Sequence, residues 1–181
     1  MFEQIYADSV FYPTLAWNML LARVLKIRNW WDAVDENVIL GAYPFADDVP
    51  RLAEIGIGGV VNTCHEYRGP LEAYKQFEIE QLHIPTTDFT HPDFADLELA
   101  VEFMDQQIAA GRKVYVHCKA GRARSATVVA CWLIKSQKLT AKQAQAAMTK
   151  SRPHVNPKID QRPVVKQFEE KYLRKTGPDS K

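Results

Sequence analysis

One stretch of the chain carries residue types suited to covalent phosphate chemistry: His117-Cys118-Lys119-Ala120-Gly121-Arg122-Ala123-Arg124-Ser125. It is predicted to join a short β-branched strand, Lys113 to His117, to an apolar helix, Ala126 to Lys135. In such a turn successive backbone N–H groups converge on one concavity, which at a helix N-terminus holds a phosphate-sized anion. Gly121 supplies the conformational freedom the turn needs. Cys118 at its mouth sits among N–H dipoles and nearby cations, so its pKa is expected below that of a free cysteine and its sulfur is expected to be anionic at neutral pH. Arg124, six residues on, can fold back over the loop and grip two phosphate oxygens with its planar fork. Ser125 can offer its hydroxyl to the sulfur and ease its departure from a phosphocysteine. His117 is expected to orient the loop rather than to act as a base. A free cysteine is more often a small buried hydrophobe. That reading suits Cys131, inside the apolar helix, but not Cys118, because the three cations Lys119, Arg122 and Arg124 would be costly beside an apolar site.

The elements that must position this loop alternate in type. Val38-Ile39-Leu40, Gly59 to Thr63 and Leu82-His83-Ile84 read as strands, the last stopped by Pro85. Asp48 is placed as the cap of a helix with Pro50 in its first turn and Gly56 at its end. Leu97, Val101, Met104 and Ile108 share one helical face ended by Gly111. Thr140 and Gln143 form a capping box, and Val164, Val165, Phe168 and Tyr172 stripe a last helix. Alternation of this kind implies an α/β fold with helices on the faces of a sheet.

At 181 residues the chain fits one domain, and 46% hydrophobic with 25% charged residues excludes global disorder. Lys+Arg 23 against Asp+Glu 22 lacks the basic excess of a generic nucleic-acid binder, so nucleic acid is not an expected partner. Three cysteines do not make a disulfide scaffold, and the five histidines show no metal-ligand spacing. No metal and no cofactor are expected. Val10 to Ala22 is mostly apolar, followed by Arg23, Lys26, Arg28, Trp30 and Trp31. This run is shorter than the roughly 18–20 residues of a membrane-spanning helix. It suits a helix lying in a membrane interface, or equally one packed on the domain with its cations solvated. Residues 1–34 are therefore read as an amphipathic, membrane-proximal helical segment, 35–175 as the catalytic domain and 176–181 as a flexible tail.

His-Cys-x5-Arg-Ser, at His117 to Ser125, is the signature of cysteine-dependent phosphatases, and the chain resembles the protein-tyrosine phosphatase superfamily in its dual-specificity-like form. The likeness extends to the mitochondrial PTP-like phosphatases that dephosphorylate phosphatidylglycerophosphate. It is carried by His-Cys-Lys-Ala-Gly-Arg-x-Arg-Ser, by Phe11-Tyr12-Pro13-Thr14-Leu15, by Val38 to Pro44 and by Val114-Tyr115-Val116. The resemblance implies a compact dual-specificity-phosphatase fold with a mostly parallel twisted sheet, and a phosphocysteine intermediate. It implies an anionic phospholipid substrate, a monomer, and a place on the matrix face of the mitochondrial inner membrane or the cytoplasmic face of a bacterial one.

In this superfamily an aspartate on a separate loop protonates the leaving alkoxide. Asp88 lies 30 positions before Cys118, after a predicted strand, and is the preferred acid. Asp93, in His91-Pro92-Asp93, is the rival, with helix capping as its alternative. Lys119 and Arg122 add cations that suit a headgroup more highly charged than phosphotyrosine, or serve only solubility or helix-end electrostatics. His117, Lys119, Ala120, Gly121, Arg122, Ala123 and Arg124 are thus read as the phosphate-binding set, with Cys118, Arg124, Asp88 and Ser125 as catalytic. His65-Glu66-Tyr67-Arg68 matches the Glu-Glu-Tyr-Glu loop of the lipid phosphatases at only two positions, leaving Glu66 and Tyr67 either a supporting role or a place on a surface loop. By analogy Cys64 could pair with Cys118 under oxidation, and Gln161 could place the hydrolytic water or merely start the last helix. A dual-specificity protein phosphatase or phosphoinositide phosphatase would use the same site, and a silent phosphate-binding module is the non-enzyme alternative.

Overall fold

The computed structural model describes residue 19 and residues 27–173. The apolar run from Val10 to Ala22, the Phe11–Leu15 motif and the 176–181 tail fall outside the described residues, Met19 excepted. Five strands form one sheet in the order β1-β2-β5-β3-β4: β1 (Trp31–Ala33), β2 (Val38–Gly41), β3 (Ile57–Cys64), β4 (Glu80–Thr86) and β5 (Lys113–His117). Only β1 runs antiparallel, so β2, β5, β3 and β4 all end on the same edge of the sheet. The helices are α1 (Val49–Glu54), preceded by a short 3-10 turn, α2 (Leu71–Gln76), α3 (Phe94–Ala109), α4 (Arg124–Gln137), α5 (Ala141–Ser151) and α6 (Pro163–Leu173). The expected α/β class and mostly parallel sheet are what the chain adopts.

Both faces of the sheet are covered at its centre, which is why β2, β3 and β5 read as short apolar runs. Val38, Leu40, Val61, Val114 and Val116 face one core with residues of α3, α4, α5 and α6. Ile39, Val60 and Tyr115 face a second with Val49, Leu52 and Tyr74. The α4 helix is buried almost all round, from Arg124 to Ile134, so the phosphate loop is clamped between a central strand and a central helix. Cys131 is one of its buried residues, and burial pushes its thiol up, as befits a packing residue.

Several expectations shift. The sheet begins before residue 35, because Trp31–Ala33 pair with β2. The two tryptophans follow the packed alternative. Trp30 is buried and donates its indole N–H to the Tyr43 carbonyl (3.0 Å), while Trp31 meets Tyr115 edge-on. Pro85 does not stop its strand: β4 pairs only with β3, so a missing N–H on its open side breaks no ladder bond. Asp48 precedes α1, but its carboxylate turns back to accept the Phe45 N–H (2.9 Å) rather than capping that helix. Thr140 and Gln143 form the capping box as expected.

Candidate active site

The C-terminal ends of the parallel strands converge on one place, as ligand sites in open α/β sheets do. Strand β5 delivers His117 and Cys118, and the chain then turns through 118–123 into α4. Gly121 adopts φ +64, and a Cβ there would stand 2.4 Å from the Gly41 backbone. Only glycine satisfies both demands. The Val38–Pro44 segment wraps the loop from the other side: the Tyr43 N–H donates to the Lys119 carbonyl (3.4 Å), and the Tyr115 hydroxyl donates to that of Ala42. The Thr63 hydroxyl donates to the His117 carbonyl (2.9 Å), fixing the strand end. His117 is fully buried, and burial reinforced by the Arg124 charge lowers its pKa to about 3. It is a neutral structural ring, in keeping with a loop-orienting role.

Cys118 is 4% exposed. Burial alone would raise its pKa, but the Arg124 charge, the Ser125 hydroxyl and the backbone N–H groups of Ser125 and Arg122 outweigh it and bring it down to about 7. The Ser125 hydroxyl lies 3.3 Å from the sulfur. Arg124 is 1% exposed and divided in function. Its Nη1 donates to Glu66 Oε2 (2.8 Å) and to the Thr86 carbonyl (2.7 Å), which fixes the guanidinium plane. Its Nε has no hydrogen-bond partner among the described residues, and Nη2 has only a 3.2 Å ion contact with Asp88 Oδ1. The fork edge formed by Nε and Nη2 can grip two oxygens once Asp88 gives up that contact.

Asp88 follows β4 and reaches into the same space. Its Oδ2 lies 2.5 Å from Lys119 Nζ. Burial works to raise its pKa, but Arg124 and Lys119 prevail and hold the carboxyl below its ordinary value. The structure thus gathers Cys118, Lys119, Arg124, Ser125 and Asp88, and adds Glu66. Asp93 is not among them: its carboxylate accepts the Asp96 N–H (2.9 Å) as the cap of α3. Arg122 is exposed, with Nε donating to the His154 carbonyl (2.8 Å). Ala120 and Ala123 contribute backbone, Ala123 preceding the first turn of α4.

The loop after β3 is part of this assembly. Glu66 holds Arg124, and Tyr67 stacks on Tyr43 at 3.8 Å and donates to the Pro44 carbonyl (2.8 Å). His65 and Arg68, the two departures from the lipid-phosphatase pattern, are both exposed. Cys64 is a buried free thiol that senses the Cys118 charge, and burial pushes its pKa well up. Gln161 is exposed, its N–H closing a turn on the Lys158 carbonyl. Among the described residues no three His, Cys, Asp or Glu side chains gather in a way that could hold a metal. Sequence reasoning passed over Arg152, which lies buried beneath the loop and bonds to its carbonyls. Nothing in Ser151-Arg152-Pro153 separates it from a solvated cation at a helix end.

A buried cysteine whose pKa is drawn down by an arginine and by backbone N–H groups, with that arginine's plane fixed and a carboxylate beside it, suits phosphoryl transfer through cysteine. The chain belongs to the family described as "Dual specificity phosphatase, catalytic domain", whose model matches residues 38–171, and it is a cysteine-dependent phosphatase. Within that class it is 42% identical over 162 residues to the Phosphatidylglycerophosphate phosphatase PTPMT2 of Arabidopsis thaliana, covering 88% of this chain and 71% of that one. It is 36% identical over 171 residues to the Phosphatidylglycerophosphatase and protein-tyrosine phosphatase 1 of Mus musculus, covering 90% and 89%. Among solved structures it is similar to that of PTPMT1 in complex with PI(5)P, with a TM-score of 0.74 and 33% identity over 82% of this chain and 100% of that one.

Proposed function

We propose that the chain removes the terminal phosphate of phosphatidylglycerophosphate, leaving phosphatidylglycerol. The observation that carries this reading is the Arg124 fork edge, buried beside a cysteine thiol of pKa about 7 and backed by a second buried cation, Lys119. The names of its relatives supply the lipid, and Lys119 suits a headgroup with charge beyond one phosphoryl. A phosphoinositide is the second reading, since PTPMT1 was solved with PI(5)P.

In the mechanism, the phosphoryl group enters as an anion and takes Arg124, and with it Lys119, away from Asp88. Its three equatorial oxygens lie against the loop N–H groups and the guanidinium, which match the charge spread of the transition state. The Cys118 thiolate attacks phosphorus in line. Asp88, released from its two cations and facing an anion, regains basicity, takes up a proton from solvent and passes that proton to the leaving alkoxide as the O–P bond breaks. Water then attacks the phosphocysteine with Asp88 as base, and the Ser125 hydroxyl steadies the departing sulfur. The cycle leaves phosphate and the thiolate, with no metal or cofactor called upon.

No described helix is long and apolar enough to cross a membrane. The N-terminal segment brings a monomeric enzyme to an anionic bilayer, in the mitochondrial matrix by resemblance to its relatives. Turnover of phosphatidylglycerophosphate, phosphoinositides and phosphopeptides in mixed micelles, with Cys118→Ser as control, tests the choice of substrate. Preference for the phosphopeptide in kcat/KM would overturn it.

A further inference from the structure

Arg152, at the end of α5, is 1% exposed and belongs to no step of the mechanism above. All of its donors are used. Nε donates to the Gly121 carbonyl (2.9 Å), and Nη2 to those of Ala120 (3.1 Å) and Trp30 (3.4 Å). Nη1 donates to the Asn29 carbonyl (3.3 Å) and to Asp32 Oδ2 (2.5 Å). Asp32, in the middle of β1, is itself nearly buried, and its other oxygen accepts from the Asn29 amide (2.7 Å). A buried guanidinium thus joins the segment ahead of the sheet to the back of the phosphate loop.

The consequence follows from peptide planarity. In a trans peptide the C=O of one residue and the N–H of the next point in opposite directions. A carbonyl of Ala120 held outward aims the Gly121 N–H inward, and a carbonyl of Gly121 held outward does the same for the Arg122 N–H. The Arg122 N–H is one of the donors that reach the Cys118 sulfur. We propose that Arg152, neutralised by Asp32, is a positioning residue of this site: it turns the Ala120 and Gly121 peptide units so that their N–H groups face the thiolate and the incoming phosphoryl oxygens. It touches neither sulfur nor substrate and acts through the backbone of the loop. The proposal rests on the phosphate-loop reading of the site, not on the identity of the lipid.

The test uses the full chain and two variants, Arg152→Lys and Asp32→Asn, measured well below their unfolding temperatures. An ammonium is a point donor and cannot span both loop carbonyls and the carboxylate as the fork does. Two readouts need no turnover: the midpoint of pH-dependent alkylation at Cys118, and protection of that thiol by inorganic phosphate. The other charged groups around the sulfur, Arg124, Glu66, Asp88, Lys119 and Arg162, are unchanged in both variants. For Arg152→Lys the alkylation midpoint rises by about one pH unit or more, a tenfold loss of thiolate below the midpoint, and half-protection needs about tenfold more phosphate. Asp32→Asn, which keeps both loop bonds but loosens their anchor, shifts the same way by less. A folded Arg152→Lys protein with the wild-type midpoint and phosphate protection overturns the proposal. So does an Arg152→Lys protein that cannot fold beside an Asp32→Asn protein with an unshifted midpoint, since the pair would then only hold the chain together. Absence of turnover by the wild type on every phosphomonoester would instead sink the functional reading, and these thiol measurements would still decide the role of Arg152.

Discussion

Replacing Asp88 by Asn separates two roles that the resting site combines. The carboxylate is the proton carrier, and it also occupies the cations that a phosphoryl group must recruit, Lys119 at 2.5 Å and Arg124 at 3.2 Å. Loss of the proton carrier predicts a fall in kcat of about 10²–10⁴-fold on an alkyl phosphate, whose leaving alkoxide cannot depart unprotonated. With para-nitrophenyl phosphate, whose leaving group is stable as an anion, the fall is much smaller. Binding moves the other way. A hydrogen bond to a charged group is worth about 1.5–3 kcal/mol, so relieving the competition for one cation tightens inorganic phosphate by about ten- to a hundredfold. Steady-state kinetics on both esters, with phosphate as competitive inhibitor, read all three changes. Asp93→Asn retains an oxygen able to cap α3 and leaves them unmoved. An Asp88→Asn enzyme with near wild-type turnover on the alkyl ester, or with weakened phosphate inhibition, would refute the assignment.

Gly121→Ala forces a side chain into a left-handed backbone and against the Gly41 backbone at 2.4 Å. It is expected to lose about 2–5 kcal/mol in denaturant unfolding, together with activity and phosphate protection. The thiol also predicts a pH-dependent stability. Its folded pKa, about 7, lies below the ordinary 9.0, so the thiolate stabilises the fold fully above pH 9 and that contribution disappears as pH falls through 7. Wild type should therefore gain about 2 kcal/mol over Cys118→Ser between pH 7 and pH 9, read by urea unfolding, and a flat difference contradicts this linkage.

The loop was legible because its chemistry is local: a strand, a cysteine, a glycine, an arginine and a helix lie within one short run of sequence. The buried parallel strands β2, β3 and β5 were equally plain, from their Val and Ile runs. What could not be read depends on distant partners. Trp31–Ala33 is a strand only because β2 offers it an edge, and Leu71–Gln76 is a single short helix burying little beyond Tyr74. Glu66 stood open between a supporting role and a surface loop, and only the contact with Arg124, 58 positions away, decides it. Arg152 needed both the loop and the 29–32 segment to show its purpose. The tryptophans left two readings open because an amphipathic ring suits a membrane interface and a domain flank equally well.

The account stands on an anionic sulfur seated where phosphate binds. Alkylation of Cys118 followed across pH by peptide mass spectrometry measures this directly. Cys64 and Cys131 remain quiet in it, since burial pushes both thiols up. The reaction should switch on with a midpoint of about 7 and be blocked by vanadate or phosphate. A midpoint at the ordinary value of 9.0, indifferent to either anion, would contradict it.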